Sequence, residues 1–426
     1  MSADATPASH DDAAPVILGN EPGSFAWSVL AKRHPALIRQ VRDAFPFGPA
    51  QHAALDALLA ETTDGVIEPL PADAHDRERW AAWGDGCFGR SWFDVPFLWA
   101  ESYFYRRLLG AVGHFTPGPW QGIEPFAPFK AAELRGSTVD DELAALDELS
   151  GRPADVQAPA LLGASLWGNR ADLGFRLDSG GPRSTSPGAE TGTRTRTGTG
   201  IETGTGTGTG LVADDSAALW SLLPAGGAAA SVHLVADNAG RELIPDLVLI
   251  DHLLHAGRAL RVVLHVKPYP YYVSDATMSD VVDSVRRLTQ AAAPRAAGYA
   301  AEIGRRLWNA MADGRLEVRA HDFFRAPFPY AAMPDTLRKQ FAEAAVTIVK
   351  GDLNYRRLVG DRLWEPTTPF GERTAYFPGP VAALRTLKSD VITGLEQDTV
   401  ATLDASGQPW RTSGTHALVQ VAAGGR

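Results

Sequence analysis

Cysteine is nearly absent from this chain: Cys87 is the only one in 426 residues. No intramolecular disulfide framework is available, and such usage fits a reducing, cytoplasmic setting. Cys87 lies between Gly86 and Phe88 with no nucleophile motif around it, so packing is its expected role. Long apolar runs are missing too; none approaches the roughly 20 residues that a bilayer-spanning helix requires. The opening "MSADATPASHDDAAPV" has neither a basic region nor an apolar stretch, so residues 1–20 read as a disordered tail and not as a signal peptide. Cations are in deficit: 40 Lys and Arg against 50 Asp and Glu give a net charge of −10 and a pI near 5.6. That balance excludes a general binder of nucleic acid or of an anionic membrane. Any anionic ligand must be gripped by a few local cations.

What is present is ordinary for a globular protein, 45% hydrophobic and 21% charged, with chain enough for two domains. From about Ser24 to Gly163 the pattern is helical. "FAWSVLAKRHPALIRQVRDAF" and "FLWAESYFYRRLLGAVGHF" repeat their apolar residues at three- and four-residue intervals. "STVDDELAALDELSG" offers a Thr138 cap, early acids and a closing Gly151. These features predict a helical N-terminal domain over residues 21–165, with 166–178 joining it to the active-site domain.

Residues 179–212 are a low-complexity insertion of Gly, Thr, Ser, Pro and Arg. Its "TGIETGTGTGTG" imitates the cofactor loop of a nucleoside-binding methyltransferase. Such a loop needs a buried strand before its first glycine and a helix after its last. Here "TRTRTGTG" precedes Ile201 and Glu202, and the Thr-Gly unit simply repeats. The tract cannot offset its ordering entropy by burial and reads as a flexible surface insertion.

After Ala213 strands and helices alternate. "SVHLVA", "LRVVLHV", "LEVRA", "VTIV" and "DVITGL" read as strands, with helices in "GRELIPDLVLIDHLLHAG", around 280–293 and 298–313, and in "DTLRKQFAEA". This predicts an α/β/α domain over residues 213–426 with a mainly parallel sheet. Parallel sheets bind ligands outside the carboxyl ends of their strands. Those ends carry Asp237-Asn238, Lys267 followed by "YPYYVSDATMSD", His321-Asp322, and "KGDLN" from Lys350 to Asn354.

Asp237, Asn238 and Asp275 offer only oxygen ligands, which suit Mg²⁺, Mn²⁺ or a similar hard cation. Lys350 and Lys388 are compact charges for phosphate oxygens, and Gly351 lets the backbone approach a ligand. Metal plus lysines is what neutralises charge on a transferring phosphoryl group. Each motif alone has a plainer reading: "DNAG" as a turn, Asp275 as a helix cap, "KGDLN" as a strand exit. Their joint placement at successive strand ends favours a site. His252 and His255, one turn apart with no third ligand, read as a solvated or partly buried helix face, and His233 and His265 as core groups.

The ordered motifs "LWGNRADL", "DNAGREL", "KPYPYYVSDATMSD", "HDFFRAPFPYAAM", "KGDLNYRRLVGDRLW" and "LRTLKSDV" resemble the damage-control phosphatase family. The similarity is to its branch of acidic-residue-methyltransferase-like proteins, whose Arg-Thr-x-Lys signature matches Arg385–Lys388. The resemblance runs from about Phe25 to Leu395. It implies metal-dependent hydrolysis of small phosphomonoesters, notably sugar phosphates such as fructose 1-phosphate or fructose 6-phosphate, with Mn²⁺, Co²⁺, Ni²⁺ or Mg²⁺. It implies metal ligation by Asp237, Asn238 and Asp275. Substrate contacts are implied from Lys350, Gly351, Asp352, Leu353, Asn354 and Lys388, from the metal-site pair Asp237 and Asn238, and from Glu242. The family's usual aromatic before that glutamate is replaced by Arg241, a cation near the site that bears on substrate preference.

The two lines together give an expected mechanism. Lys350 and Lys388 neutralise phosphate charge, Asn354 and Glu242 position the sugar, and Asp352 activates a water, with direct aspartyl attack as the alternative. Asn169 and Asp172 complete the pocket or form a structural turn. Two other readings stand beside this one: an S-adenosylmethionine-dependent carboxyl methyltransferase and a non-catalytic sugar-phosphate-binding protein. Deleting residues 186–210 separates the first from a phosphatase, which does not use that tract. The sequence leaves the oligomeric state open.

Overall fold

The computed structural model describes residues 14–168, 210–227, 231–293 and 296–425. The Gly/Thr tract, Asn169 and Asp172 lie outside the described residues. Among those described, no helix is long and apolar enough to cross a membrane.

The helical half opens on a run from Phe25 to Ala44 that changes character midway. Phe25–Ser28 is α-helical, Val29–Arg33 is a π-turn, and α1 (His34–Ala44) continues beyond it. Pro35 explains the change. It lacks an N–H, and its ring presses on the carbonyl one turn back, so the helix widens there. The His34 N–H accordingly reaches back to the Val29 carbonyl. α2 (Pro49–Asp64) packs on this run, and α3 (Phe97–Ala111) is buried along almost its whole length. Around α3, Trp80, Trp92, Trp99, Tyr103 and Phe104 form an aromatic core.

That core ends near Phe126. α4 (Ala127–Leu134), α5 (Ser137–Ala145) and α6 (Ala154–Trp167) come next, and Val139, Leu143, Leu161 and Leu162 from the last two bury into the core of the sheet. Packing therefore divides the chain earlier than residue 165. The Thr138 cap is not realised: α5 is capped by Gly136 and Thr138 lies inside the helix. Residues 15–20, expected in a disordered tail, are strapped down instead. Val16 bridges Arg362, Leu18 bridges Pro96, and the Pro15 carbonyl accepts the Leu363 N–H at 2.9 Å.

The sheet has seven strands. β1 (Leu211–Asp214), β2 (Val232–Val235), β3 (Val262–Val266), β4 (Leu316–Ala320), β5 (Val346–Lys350), β6 (Val381–Thr386) and β7 (Ala417–Ala422) lie in the order β1-β7-β6-β5-β2-β3-β4. From β6 to β4 every pairing is parallel, and β7 runs antiparallel to β6. The central strands are buried on both faces and read as mainly apolar runs, interrupted only by His233, His265, Thr347 and the terminal Lys350. Alternate residues feed opposite cores. Val232, Leu234, Val346 and Ile348 face α6, α7 (Leu243–His255), α8 (Met278–Thr289) and α9 (Tyr299–Ala312); Val235 and Val349 face α10 (Asp335–Ala342) and α11 (Asp352–Val359).

One expected strand is absent: "DVITGL" is irregular, and β6 takes the place beside β5. Side chains satisfy that segment's carbonyls where a strand neighbour would. Arg385 donates to Val391 O, and Gln420 donates to Thr393 O at 2.7 Å.

Candidate active site

The chain passes from β2 outward through β3 to β4, then returns to the other side of β2 to form β5 and β6. The strand order therefore reverses between β2 and β5, where a crevice opens at the carboxyl ends. Asp237 and Asn238 follow β2, and Gly351 and Asp352 follow β5, so the two motifs meet across that crevice. A cavity of about 790 Å³ occupies it, lined by Asp237, Asn238, Glu242, Asp275, Asp352 and Lys388 among others.

The loop after β3 folds back on the loop after β2. Asn238 and Asp275 pair as an antiparallel bridge, Ala239 N–H donates to Ser274 O at 2.6 Å, and Ala276 N–H donates to Asp237 O at 3.0 Å. The Tyr272 N–H holds Asp275 Oδ2 at 3.0 Å, and the Ser274 hydroxyl holds Asn238 Oδ1 at 2.7 Å. Thr277 and Asp280 form a capping box that starts α8 directly behind. The helical half supplies a clamp: Lys130 Nζ donates to Asp275 O at 2.7 Å and pairs with Asp280 at 2.9 Å and Glu124 at 2.5 Å.

Negative charge accumulates here beyond what the nearby cations balance. Burial pushes the Asp237 carboxyl up to about 8, with Glu242 and then Asp275 adding to the rise against Lys388 and Lys267. Asn238 Nδ2 bridges to Glu242 Oε2 at 2.9 Å. Among the described residues no three His, Cys, Asp or Glu side chains are set to hold a metal; the oxygen set here requires Asn238 as a donor. Two buried carboxylates beside an amide oxygen, one of them pushed up by burial and by its acidic neighbours, fit a hard divalent cation that would relieve the repulsion. The Gly351 backbone adds to the fit, since φ is +82° and a Cβ there would fall 2.6 Å from the Asp237 Cβ and nearer still to its carboxylate. Lys267 lies behind this set, buried, with no hydrogen-bond partner on Nζ.

The motif after β5 divides in its roles. Lys350, expected to meet phosphate, directs its ammonium to Ser165 O, Ser165 Oγ at 2.9 Å and Asp246 Oδ1 at 3.0 Å. Its three protons are thereby used. Asn354, expected at the sugar, is fully buried: it donates to Ala236 O at 3.0 Å and Lys350 O at 2.9 Å and accepts from Tyr330 at 3.2 Å, stapling β2 to β5. Leu353 does line the cavity. Asp352 Oδ1 receives Arg385 Nε at 2.8 Å, Arg385 Nη2 at 2.7 Å, the Lys388 N–H at 3.1 Å and Ser389 Oγ at 3.1 Å. Burial would raise this carboxyl, but Arg385 and Arg356 and the hydrogen bonds outweigh it and hold it below the usual range. Lys388 is half exposed at the cavity wall, 3.7 Å from Glu242 Oε1.

Other expectations fall elsewhere. His321 and Asp322 end edge strand β4, away from the crevice, and Asp322 pairs with Arg325 and Arg79. Arg241 turns from the cavity to pair with Glu142 of α5. His252 is buried beside Gln157 at 3.3 Å while His255 is exposed, so the two do not converge. Ser165, Asp246 and Lys130 escaped the sequence reading. Asp246 had a signal: an acid one helical turn beyond Glu242 inside an apolar run needs a buried partner. Ser165 and Lys130 had none.

The model of the damage-control phosphatase ARMT1-like domain matches residues 29–403. Damage-control phosphatase ARMT1 of Danio rerio is 30% identical over 442 residues, covering 93% of this chain and 94% of that protein. The Mus musculus protein of the same name is 30% identical over 446 residues, covering 93% and 96%. A DUF89 family protein from Pyrococcus horikoshii superposes with a TM-score of 0.46 at 12% identity over 93% of this chain and 96% of that one, too loosely to argue from. The chain belongs to the family of the damage-control phosphatase ARMT1-like domain.

Proposed function

We propose that this phosphatase hydrolyses small sugar phosphates, such as fructose 1-phosphate or fructose 6-phosphate, with a divalent cation (Mn²⁺, Co²⁺, Ni²⁺ or Mg²⁺) held by Asp237, Asn238 and Asp275. The observation that carries the reading is the buried, mutually repelling oxygen set at the sheet's switch point, with Lys388 on the same cavity wall. When bound, the cation polarises a phosphate oxygen and offsets charge on the transferring group. Lys388 neutralises a further phosphate oxygen. The first N–H groups of α11 have no partners within the helix, and that helix starts at the cavity wall, where they favour an anion. Glu242 accepts from a sugar hydroxyl.

Asp352 has one oxygen filled by Arg385, Lys388 and Ser389. Its other oxygen accepts a hydrogen bond from the attacking water and fixes its approach. The water oxygen bonds to phosphorus, its proton passes to Asp352, and the ester oxygen leaves with the electron pair and takes a proton from solvent. Lys350 acts through Asp246 and Ser165 by holding the floor of the site rigid. The single cysteine and the net charge of −10 fit a cytoplasmic enzyme of free metabolites.

The test is phosphate release from a panel of sugar phosphates by chelator-stripped protein, with and without each metal. Turnover restored by metal and lost in Asp237→Ala supports the reading. A folded protein that releases no phosphate with any of the four ions would refute it.

A further inference from the structure

The cavity is larger than the proposed chemistry needs. At about 790 Å³ it stands toward the upper end of the roughly 300–1,000 Å³ that houses drug-sized ligands, and a hexose monophosphate is smaller than those. The surplus lies against the helical half. Phe25, Val29, Arg33, Leu37 and Gln40 all line it from one face of the run interrupted by the π-turn. Such turns recur at functional sites because they re-aim the side chains around them, and Arg33 is the last residue of this one.

Three features mark that wall as built for a ligand. Arg33 is exposed into the cavity and makes no hydrogen bond or ion pair with any described residue. Glu101, the buried acid that feels the charge of Arg33, is already paired: it meets Arg356 at 3.1 Å, and Arg356 also holds Asp361 at 2.7 Å. His34, next in sequence, also lines the cavity. It is 1% exposed and stacked flat on Phe104 at 3.6 Å, yet neither ring nitrogen has a hydrogen-bond partner. A buried imidazole with both nitrogens unanswered is costly unless something enters to meet it.

We propose that this wall is a second subsite, in which Arg33 and His34 take an anionic group, phosphate or carboxylate, at the end of the substrate remote from the phosphate being cleaved. The inference rests on the phosphatase reading above and extends it: the preferred substrates are phosphomonoesters that carry a second anion. Arg33 supplies the charge, the His34 ring supplies one N–H, and the metal set with Lys388 handles the phosphate that leaves.

The test pairs each monophosphate with a doubly anionic counterpart: fructose 1-phosphate with fructose 1,6-bisphosphate, and glucose 6-phosphate with 6-phosphogluconate. Wild-type protein should favour the second member of a pair. Arg33→Met should lower the ratio of kcat/KM between the members by about 10- to 100-fold, the scale of one lost charged hydrogen bond, chiefly through KM. Arg33→Lys should restore part of it. A preference confined to one pair identifies the anion as phosphate or carboxylate. A wild-type protein without preference, or an unchanged ratio in Arg33→Met, overturns the subsite. Calorimetric titration of wild type and Arg33→Met with fructose 1,6-bisphosphate and fructose 1-phosphate repeats the comparison without turnover. Absence of phosphate release therefore defeats the parent reading alone, and loss of the Arg33-dependent affinity difference defeats the subsite alone.

Discussion

The backbone of Gly351 rests against the carboxylate of Asp237, leaving no room for a side chain between β5 and β2. Its φ of +82° is also one that other residues adopt only at a cost. Gly351→Ala should therefore destabilise the protein by about 1–3 kcal/mol through backbone strain. Because the new methyl displaces Asp237, phosphate release should fall by more than the stability change explains. Urea denaturation and steady-state assays on the same preparation separate the two.

The buried pair of Lys350 and Asp246 makes a second case. Asp246→Leu removes one charge and leaves the other enclosed, which typically costs about 3–5 kcal/mol. Lys350→Met with Asp246→Leu, which removes both charges, should recover much of that loss while activity stays low. A double-mutant cycle by chemical denaturation reads the coupling, and additive losses would contradict a direct pair.

Arg241 precedes the cavity residue Glu242, but its ion pair with Glu142 turns it away from the cavity. Each side chain of the pair is only 20% exposed, so Arg241→Ala, which leaves Glu142 without its partner, should cost about 1–3 kcal/mol. The ranking of sugar phosphates should not change. A reordered panel would show that residue 241 reaches the substrate.

Several buried histidines set the acid limb of stability. Burial, with Arg33 adding to it, depresses His34 to about 3, and burial takes His233 and His252 to about 4. A depressed folded pKa means that the unfolded chain binds protons first as pH falls. The stability these groups confer is present above about pH 6.5 and is lost between there and their folded values, at about 1.4 kcal/mol per pH unit for each. His34→Phe keeps the stack on Phe104 and should flatten the slope of unfolding free energy between pH 6 and 4 by that amount. An unchanged slope would mean that His34 titrates normally in the folded protein.

The parallel sheet and the order of its motifs were legible because buried strands leave mainly apolar runs and because strand ends collect most of the charged residues. "DVITGL" has the same texture, yet its partners are the side chains of Arg385 and Gln420, which no periodicity displays. The convergence of Asp237, Asn238 and Asp275 was legible from their places after consecutive strands. The division of labour within "KGDLN" was not: whether Lys350 meets substrate or Asp246 depends on a helix far earlier in sequence. Arg33 went unnoticed because its helix reads as an ordinary amphipathic one. Only the missing N–H of Pro35 hinted at the widened turn.

Lys130 ties the carbonyl of Asp275 to the helical half, and this makes the two halves poor modules for exchange. A chimaera that took residues up to about 126 from one relative and the remainder from another would keep the tie, whereas a junction between 130 and 275 would cut it. Evolution of the outer helices is constrained in the same way. Insertions can accumulate between α6 and β1, where the Gly/Thr tract lies, but α4 and the loop before α8 have to be inherited together.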